Sequence, residues 1–294
     1  MQQDNTATKG FFTFAQNNND TDYVRLAYGL ALSLKASQAV YNKLSIGITP
    51  GTVVDDRYAW AFDQIIEIPW SDEAADSTWK LENEWKSPWM SPYDETIKLD
   101  SDMLFFSDIS SWWNYLSSGQ ESLVFANTVL DYRGCPVSDD YYRQVWTVNN
   151  LPNIYSAFTY FRKDSTTFDF FNLAKVVYWS WEKFFEEYLV YDHRPAYPST
   201  DVIFAIVCKI MDAENQLSYS PKMVPTFTHM KTRLQGWTTR YMAEDWRVHI
   251  RSFLTSSLEC RIGHHRQLYP LHYTVKDWLT DDILSSYERH LFNA

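Results

Sequence analysis

Asp100-Ser101-Asp102 stands directly after the short run Glu95 to Leu99 (ETIKL), which reads as a strand, and before the apolar Met103 to Phe106. Two carboxylates separated by one residue at a strand end can turn toward a single divalent cation, and oxygen ligands suit Mg²⁺ or Mn²⁺. A cation held there would neutralise the charge that develops on a diphosphate leaving group. The competing reading of a D-x-D triplet is a solvated turn, which the flanking apolar residues disfavour. Cys135, Cys208 and Cys260 are far apart and form no C-x-x-C pair, so neither a disulfide framework nor a thiolate zinc site is indicated, and a reducing compartment is expected.

The elements that would position those carboxylates can be read upstream of them. Gly10 to Ala15 (GFFTFA) reads as a buried strand ending in the polar cluster Gln16 to Asp22. A helix follows from Tyr23, with Val24, Ala27, Leu30, Ala31 and Leu34 at helical spacing and Asp20, Thr21 or Asp22 as N-cap. Leu44 to Ile48 is the next strand, Arg57 to Phe62 a helix, and Ile65 to Ile68 a third strand stopped by Pro69. Strand and helix alternating at this spacing predict a parallel, doubly wound α/β sheet, which binds ligands beyond the C-terminal ends of its strands. Asp100 and Asp102 close the fourth strand, at that edge. Leu123 to Asn127 and Tyr155 to Phe161 read as further strands. Phe168 to Leu189 reads as one long aromatic-rich helix, and Asp201 to Met211 as a shorter one capped by Ser199 or Thr200. From Lys222 on, the periodicity weakens.

The composition excludes several classes of function. With 294 residues, either one large α/β domain or two packed domains are allowed. Hydrophobic residues at 45% and charged residues at 21% argue against disorder, and only 8 glycines exclude a collagen-like or low-complexity chain. No stretch approaches the roughly 18 apolar residues a membrane span needs, so no membrane partner is expected and a cytoplasmic location is. A net charge of −11 disfavours a protein whose whole surface clamps nucleic acid. The charge is uneven, however. Residues 1–220 carry 16 basic and 30 acidic side chains, and residues 221–294 carry 10 and 7. Lys222 to Arg266 is richer still, with 8 basic against 3 acidic residues and His229, His249, His264 and His265 among them. Its bland reading is a solvated basic face.

Phe11 to Lys35 (FFTFAQNNNDTDYVRLAYGLALSLK), Phe62 to Pro69 (FDQIIEIP) and Tyr93 to Leu104 (YDETIKLDSDML) resemble the opening strand, nucleotide loop, third strand and metal-binding strand end of the glycogenin-like glycosyltransferases. Pro198 to Ile206 (PSTDVIFAI) is similar to the segment that carries an acidic residue beside the donor sugar. Phe227 to Trp237 (FTHMKTRLQGW) is similar to the closing motif, in which a histidine completes the metal site and a lysine meets the diphosphate. The resemblance implies a GT-A (Rossmann-like) fold, a mostly parallel twisted sheet flanked by helices over residues 1–240, with a C-terminal helical or irregular extension over 241–294. It implies Mn²⁺ or Mg²⁺ held by Asp100, Asp102 and His229, and a nucleotide-sugar donor, a UDP-sugar first. The donor would meet Phe14, Ala15, Gln16, Asn17, Tyr23, Asp100 and Ser101, with Lys231 or Arg233 at the diphosphate. Lys86 matches a lysine that touches the donor, with Lys80 as a competitor, and Asp201 would sit near the anomeric carbon. Three departures stand out: Tyr155-Ser156-Ala157 replaces Asn-Ser-Gly, Val202 replaces Gln, and no Lys-Pro precedes Trp237.

Transfer with retention of configuration is what the resemblance implies, from donor to an acceptor hydroxyl. The basic tail points to an anionic acceptor, and similarity to phage-encoded DNA-modifying glycosyltransferases implies double-stranded phage DNA carrying 5-hydroxymethylated cytosine, in the host cytoplasm, approached through Arg240, Arg247, Arg251, His264, His265 and Arg266. The alternatives are a glycan or protein acceptor, a sugar nucleotidyltransferase, and a non-catalytic carbohydrate-binding protein whose aromatic residues stack on sugars. A nucleotidyltransferase normally opens on a Gly-rich basic loop, and Gln16 to Asp22 holds neither Gly nor Lys or Arg.

Overall fold

The computed structural model describes residues 8–78, 80–137, 143–190, 195, 197–214, 217, 225–230, 246–248 and 250–292. The first half alternates as the sequence predicts: β1 (Lys9–Phe14), α1 (Tyr23–Ser37), β2 (Leu44–Ile48), α2 (Asp56–Ala59), β3 (Ile65–Glu67), α3 (Ser87–Met90) and β4 (Glu95–Leu99). There follow β5 (Met103–Leu104), α4 (Ser110–Ser118), β6 (Leu123–Ala126), α5 (Gln144–Val148), β7 (Tyr155–Arg162), α6 (Ser165–Trp179), α7 (Trp181–Tyr188) and α8 (Thr200–Ile210). The C-terminal part carries β8 (Thr228–His229), β9 (Ser252–Leu254), β10 (Cys260–Ile262), β11 (His265–Arg266), β12 (Leu271–His272) and α9 (Asp281–Phe292).

The central sheet has the order β3-β2-β1-β4-β7-β6. β1 to β4 run parallel, and β7 is antiparallel to both β4 and β6. β1, β2 and β4 are buried almost throughout, and for that reason β1 and β2 lack the alternation of a half-exposed strand, while β4 buries Glu95 and Lys98 with partners. Helices cover both faces. Phe11, Ile97, Leu99 and Phe158 pack with α1, α4 and α9 in one cluster, and Leu123, Phe125 and Phe161 pack with α6 and α8 in another. Asp22 caps α1, its carboxylate accepting from the backbone N–H of Arg25 at 3.0 Å.

Two differences from the sequence reading have local causes. The helix expected over Phe168 to Leu189 is two helices, broken at Ser180 (φ −117°, ψ 28°). Phe170, Phe171, Ala174 and Val177 tie α6 to the core, whereas α7 buries no residue fully and turns its amphipathic WEKFFEEY segment along the surface. The C-terminal residues, where periodicity faded, contribute to the main core: Trp278, Leu279, Leu284 and Tyr287 join the cluster around α1. Among the described residues no helix is long and apolar enough to cross a membrane.

Gly10 shows how tightly β1 is built in. A Cβ there would lie 2.4 Å from the ring of Tyr93, whose hydroxyl is fixed by Ser45 Oγ at 2.8 Å and Asp63 Oδ2 at 3.0 Å. Gly10→Ala should therefore destabilise by about 1–3 kcal/mol despite the lower chain entropy of alanine, because overpacking against a pinned ring outweighs that gain. An unchanged or raised melting temperature would refute the close approach.

Candidate active site

β4 delivers Lys98 and Asp100 to the same face of the sheet, because side chains alternate along a strand. Lys98 Nζ lies 3.1 Å from Asp100 Oδ1 and 2.6 Å from Glu84 Oε2, in the single 3₁₀ turn Glu84–Lys86. Lys98 and Glu84 are buried. Burial works against the Lys98 charge, but the Glu84 and Asp100 carboxylates outweigh it and hold the ammonium above its usual pKa. Burial pushes the Glu84 carboxyl up to about 7, against the pull of Lys98.

Asp102 is buried where the chain turns into β5. β5 pairs antiparallel with β12, with His272 opposite Met103, and the backbone N–H of Tyr273 donates to the Asp102 carbonyl at 3.2 Å. This pairing places His272 Nε2 3.2 Å from Asp102 Oδ2 and 3.8 Å from Asp100 Oδ2. Asp100, Asp102 and His272 each offer one ligand atom, all within 4.8 Å of one another. Lys276, one turn further on, forms an ion pair with Asp102 and sits 5.6 Å from the ring centroid of Tyr23. Burial opposes the Asp102 charge, yet His272 and Lys276 hold its carboxyl well below the usual carboxylate range. Lys276 is in turn held above the ordinary lysine value, Asp102 outweighing its burial.

His229, expected to complete the metal set, lies on β8, which pairs in parallel with the other side of β12. Its Nδ1 stands 3.0 Å from Nδ1 of His272. The structure therefore brings His272 to the carboxylates, with His229 bonded behind it. The order His272, Lys276, Trp278 repeats the histidine, lysine and tryptophan order of the closing motif that the sequence reading placed on Phe227 to Trp237. That order was the signal available for finding it.

Two adjoining hollows meet at Leu81, Glu84, Asp100 and His272. The larger, about 300 Å³, is lined by Phe14, Gln16, Tyr23, Asp100, Ser101, Asp102 and Lys276, which gathers most of the residues expected at the nucleotide. Ala15 is buried, its N–H on the Gly47 carbonyl at 2.8 Å. Asn17 faces a separate polar hollow, and its Oδ1 accepts from Val24 N at 3.1 Å. Lys80 lines the larger hollow, whereas Lys86 is fully buried elsewhere, its ammonium against the carbonyls of Pro69 and Ser71 and the carboxylate of Glu73.

The smaller hollow, about 140 Å³, is lined by Tyr155, Ser156, Ala157, Ser199, Asp201 and His229 among others. Asp201 Oδ1 accepts from the N–H and hydroxyl of Ser156 at 2.8 and 2.7 Å, and Oδ2 accepts from Arg143 Nη1 at 2.9 Å. The Arg143 guanidinium is sandwiched 3.5 Å from the ring centroid of Trp146 and 3.9 Å from that of Tyr155. Such a clamp fixes the orientation of the carboxylate at the rim of the hollow. Sequence reading missed Arg143, Lys98, Glu84, His272 and Lys276.

The residues expected at an acceptor lie apart from this cleft. Arg247 and Arg251 line a groove of about 630 Å³ between β9 and α9, and His264, His265 and Arg266 are exposed around the β10–β11 hairpin. Lys231, Arg233 and Arg240 lie outside the described residues.

No protein-family model matches the chain, and no curated protein matches its sequence. Solved structures do match. The apo bifunctional glycosyltransferase WbbM superposes with a TM-score of 0.51 at 11% identity, covering 100% of this chain and 51% of that one. The galactosyltransferase LgtC, solved with donor and acceptor sugar analogues, superposes with a TM-score of 0.50 at 11% identity, covering 96% of this chain and 94% of that one. The chain has the GT-A glycosyltransferase fold. Within the GT-A sheet of this protein the D-x-D carboxylates occupy the end of β4 and His272 reaches them from β12, so the fold and the ligand cluster coincide at one edge.

The Asp102 environment sets a pH test on metal-free protein. Because its folded pKa lies below the unfolded value, its contribution is full above about pH 4–5 and is lost as pH falls. Asp102→Asn should cost about 1.5–3 kcal/mol at neutral pH through the lost charged hydrogen bonds. In chelator, the gap between wild-type and variant melting temperatures should begin to narrow below about pH 4 and keep narrowing as the pH falls further. A gap equally wide at pH 3 and pH 7 would contradict the assignment.

Proposed function

We propose that this protein is a metal-dependent glycosyltransferase, moving a sugar from a nucleotide-diphosphate donor, a UDP-sugar first, to an acceptor hydroxyl. The observation that carries the reading is the convergence of Asp100, Asp102 and His272 within 4.8 Å at the C-terminal edge of a GT-A sheet. Two carboxylates and an imidazole, without thiolate, fit Mn²⁺ or Mg²⁺. Such an ion, when bound, neutralises the diphosphate as the glycosidic bond breaks.

The chain's own residues supply the rest. Lys276, on the wall shared with Tyr23 and Asp102, takes the role of diphosphate partner that the sequence reading gave to Lys231 or Arg233. Tyr23 offers an aromatic face to the base and Gln16 a side-chain amide. When His272 ligates through Nε2, its Nδ1 carries the proton and donates to His229 Nδ1, which fixes tautomer and ring orientation. His229 thereby acts through His272. Asp201, held in place by Arg143 and Ser156, faces the smaller hollow, where a carboxylate stabilises positive charge at an anomeric carbon; this supports retention.

A DNA acceptor draws little support from the described residues. Arg247 pairs with Asp277, and Arg261 and Arg266 both pair with Glu259, so much of the basic charge is satisfied within the protein. These pairs favour an uncharged acceptor such as a glycan.

Incubation with Mn²⁺ and a panel of nucleotide sugars should release nucleoside diphosphate from at least one donor. EDTA or Asp102→Asn should abolish release, and hydroxymethylated duplex DNA and oligosaccharides offered side by side should identify the acceptor. Release undiminished by EDTA, or no release from any donor, sinks the reading. By titration calorimetry, His229→Ala should weaken Mn²⁺ binding about 10–100-fold, the effect of losing an orienting partner, and His272→Ala should weaken it further. The reverse ranking would make His229 the direct ligand.

A further inference from the structure

Trp70 is 69% exposed, yet its backbone adopts φ +67°, a left-handed region that bulky residues avoid. Its neighbours explain how it stays there. The buried Lys86 ammonium bonds to the carbonyls of Pro69 and Ser71, the residues on either side of Trp70, and its charge is met by Glu73. Burying an ammonium is expensive in its own right. The fold thus combines a strained backbone and a buried ion pair to hold an indole in water, against the ordinary preference of apolar surface for the interior.

The indole is part of a larger arrangement. One face of Trp70 lies on Trp85 with an interplanar angle of 3° and a centroid separation of 5.8 Å. Trp179, 62% exposed at the end of α6, meets Trp85 edge-on at 6.3 Å. Lys175 Nζ lies 4.3 Å from the Trp179 ring centroid and 4.7 Å from that of Trp85. Lys175 has no carboxylate partner among the described residues. Trp89 supports the group edge-on at 6.2 Å from Trp70 and 5.8 Å from Trp85.

We propose that Trp70, Trp179 and Lys175 form a saccharide-binding surface outside the catalytic cleft. Rigid, pinned indole faces suit the C–H face of a pyranose, and a single unpaired ammonium suits its hydroxyls. Charge selects among occupants that stack. Residues 1–220 carry 30 acidic against 16 basic side chains, and α7, which follows Trp179, holds Glu182, Glu186 and Glu187 against Lys183 alone. Nucleic acid and other polyanions are repelled there, so the occupant is an uncharged glycan. Glu84 precedes Trp85 in the chain and lines the cleft, so one 3₁₀ turn contributes to both places; any link from this surface to the acceptor rests on the glycosyltransferase reading, while the binding itself does not.

Native electrophoresis through gels containing soluble starch, dextran, xylan or galactomannan tests the surface without a donor. At least one of these should retard the wild-type chain. Trp70→Ala with Trp179→Ala should lower the affinity at least tenfold, Lys175→Ala about threefold, and Trp70→Phe much less than Trp70→Ala. Asp102→Asn should be retarded like the wild type. Retained donor hydrolysis in the double tryptophan variant shows that it is folded. Lack of retardation in every gel, equal retardation of the double variant, or sedimentation showing a wild-type dimer that the double variant dissolves overturns the proposal. Retardation without hydrolysis of any donor upholds the surface and removes the transferase reading instead.

Discussion

The pairing of β5 with β12 is the constraint on which the active site depends. Each strand has only two residues, yet their register sets His272 opposite Met103 and carries Lys276 to Asp102 from 174 positions away in sequence. Without that pairing Asp102 would be a buried carboxylate with no cationic partner, and burial would push its pKa up, not down. The protein therefore cannot assemble its ligand cluster until its last quarter has docked. α9 and Leu279 provide the docking force, packing with α1 in the main apolar cluster, and Arg25 on α1 adds a bond to the Leu279 carbonyl at 2.6 Å.

This dependence also explains what could be read in advance. β1 and β2 were legible because strands buried on both faces are short, mostly apolar runs, and Asp100 and Asp102 were legible because they follow a later strand-like run and precede the apolar Met103 to Phe106. Two-residue strands have no periodicity, so β5, β8 and β12 left no trace. With them went the means of choosing between His229 and His272, which lie side by side in space and 43 residues apart in sequence. α9 carries Ile283, Leu284, Tyr287 and Leu291 at helical spacing, a signal that the irregular basic stretch before it obscured. Lys86 shows the opposite error. A lysine at a familiar distance before the D-x-D triplet was read as a donor contact, but its fully buried ammonium is occupied by backbone carbonyls and Glu73.

The cleft is also distinguished by how its charges are held. Asp100, Asp102, Glu84 and Asp201 would repel one another if left free in a low-dielectric site. Each has a cation within reach: Lys98 for Asp100 and Glu84, Lys276 for Asp102, and Arg143 for Asp201. These cations are fixed from different elements, so the acidic edge of the sheet is neutralised locally and geometry, not only charge, is specified.

The short 3₁₀ turn Glu84–Lys86 joins these features. Successive side chains on a three-residue turn point in different directions, and here each serves a different structure. Glu84 reaches Lys98 under the cleft, Trp85 lies beneath Trp70 and Trp179, and Lys86 binds the carbonyls of Pro69 and Ser71 on either side of Trp70. Glu84 and Lys86 are both buried charges and Trp85 a buried indole, so the turn cannot shift without disturbing two ion pairs and a stack together. The cleft and the outer aromatic surface thus share one short element, whose three side chains support both.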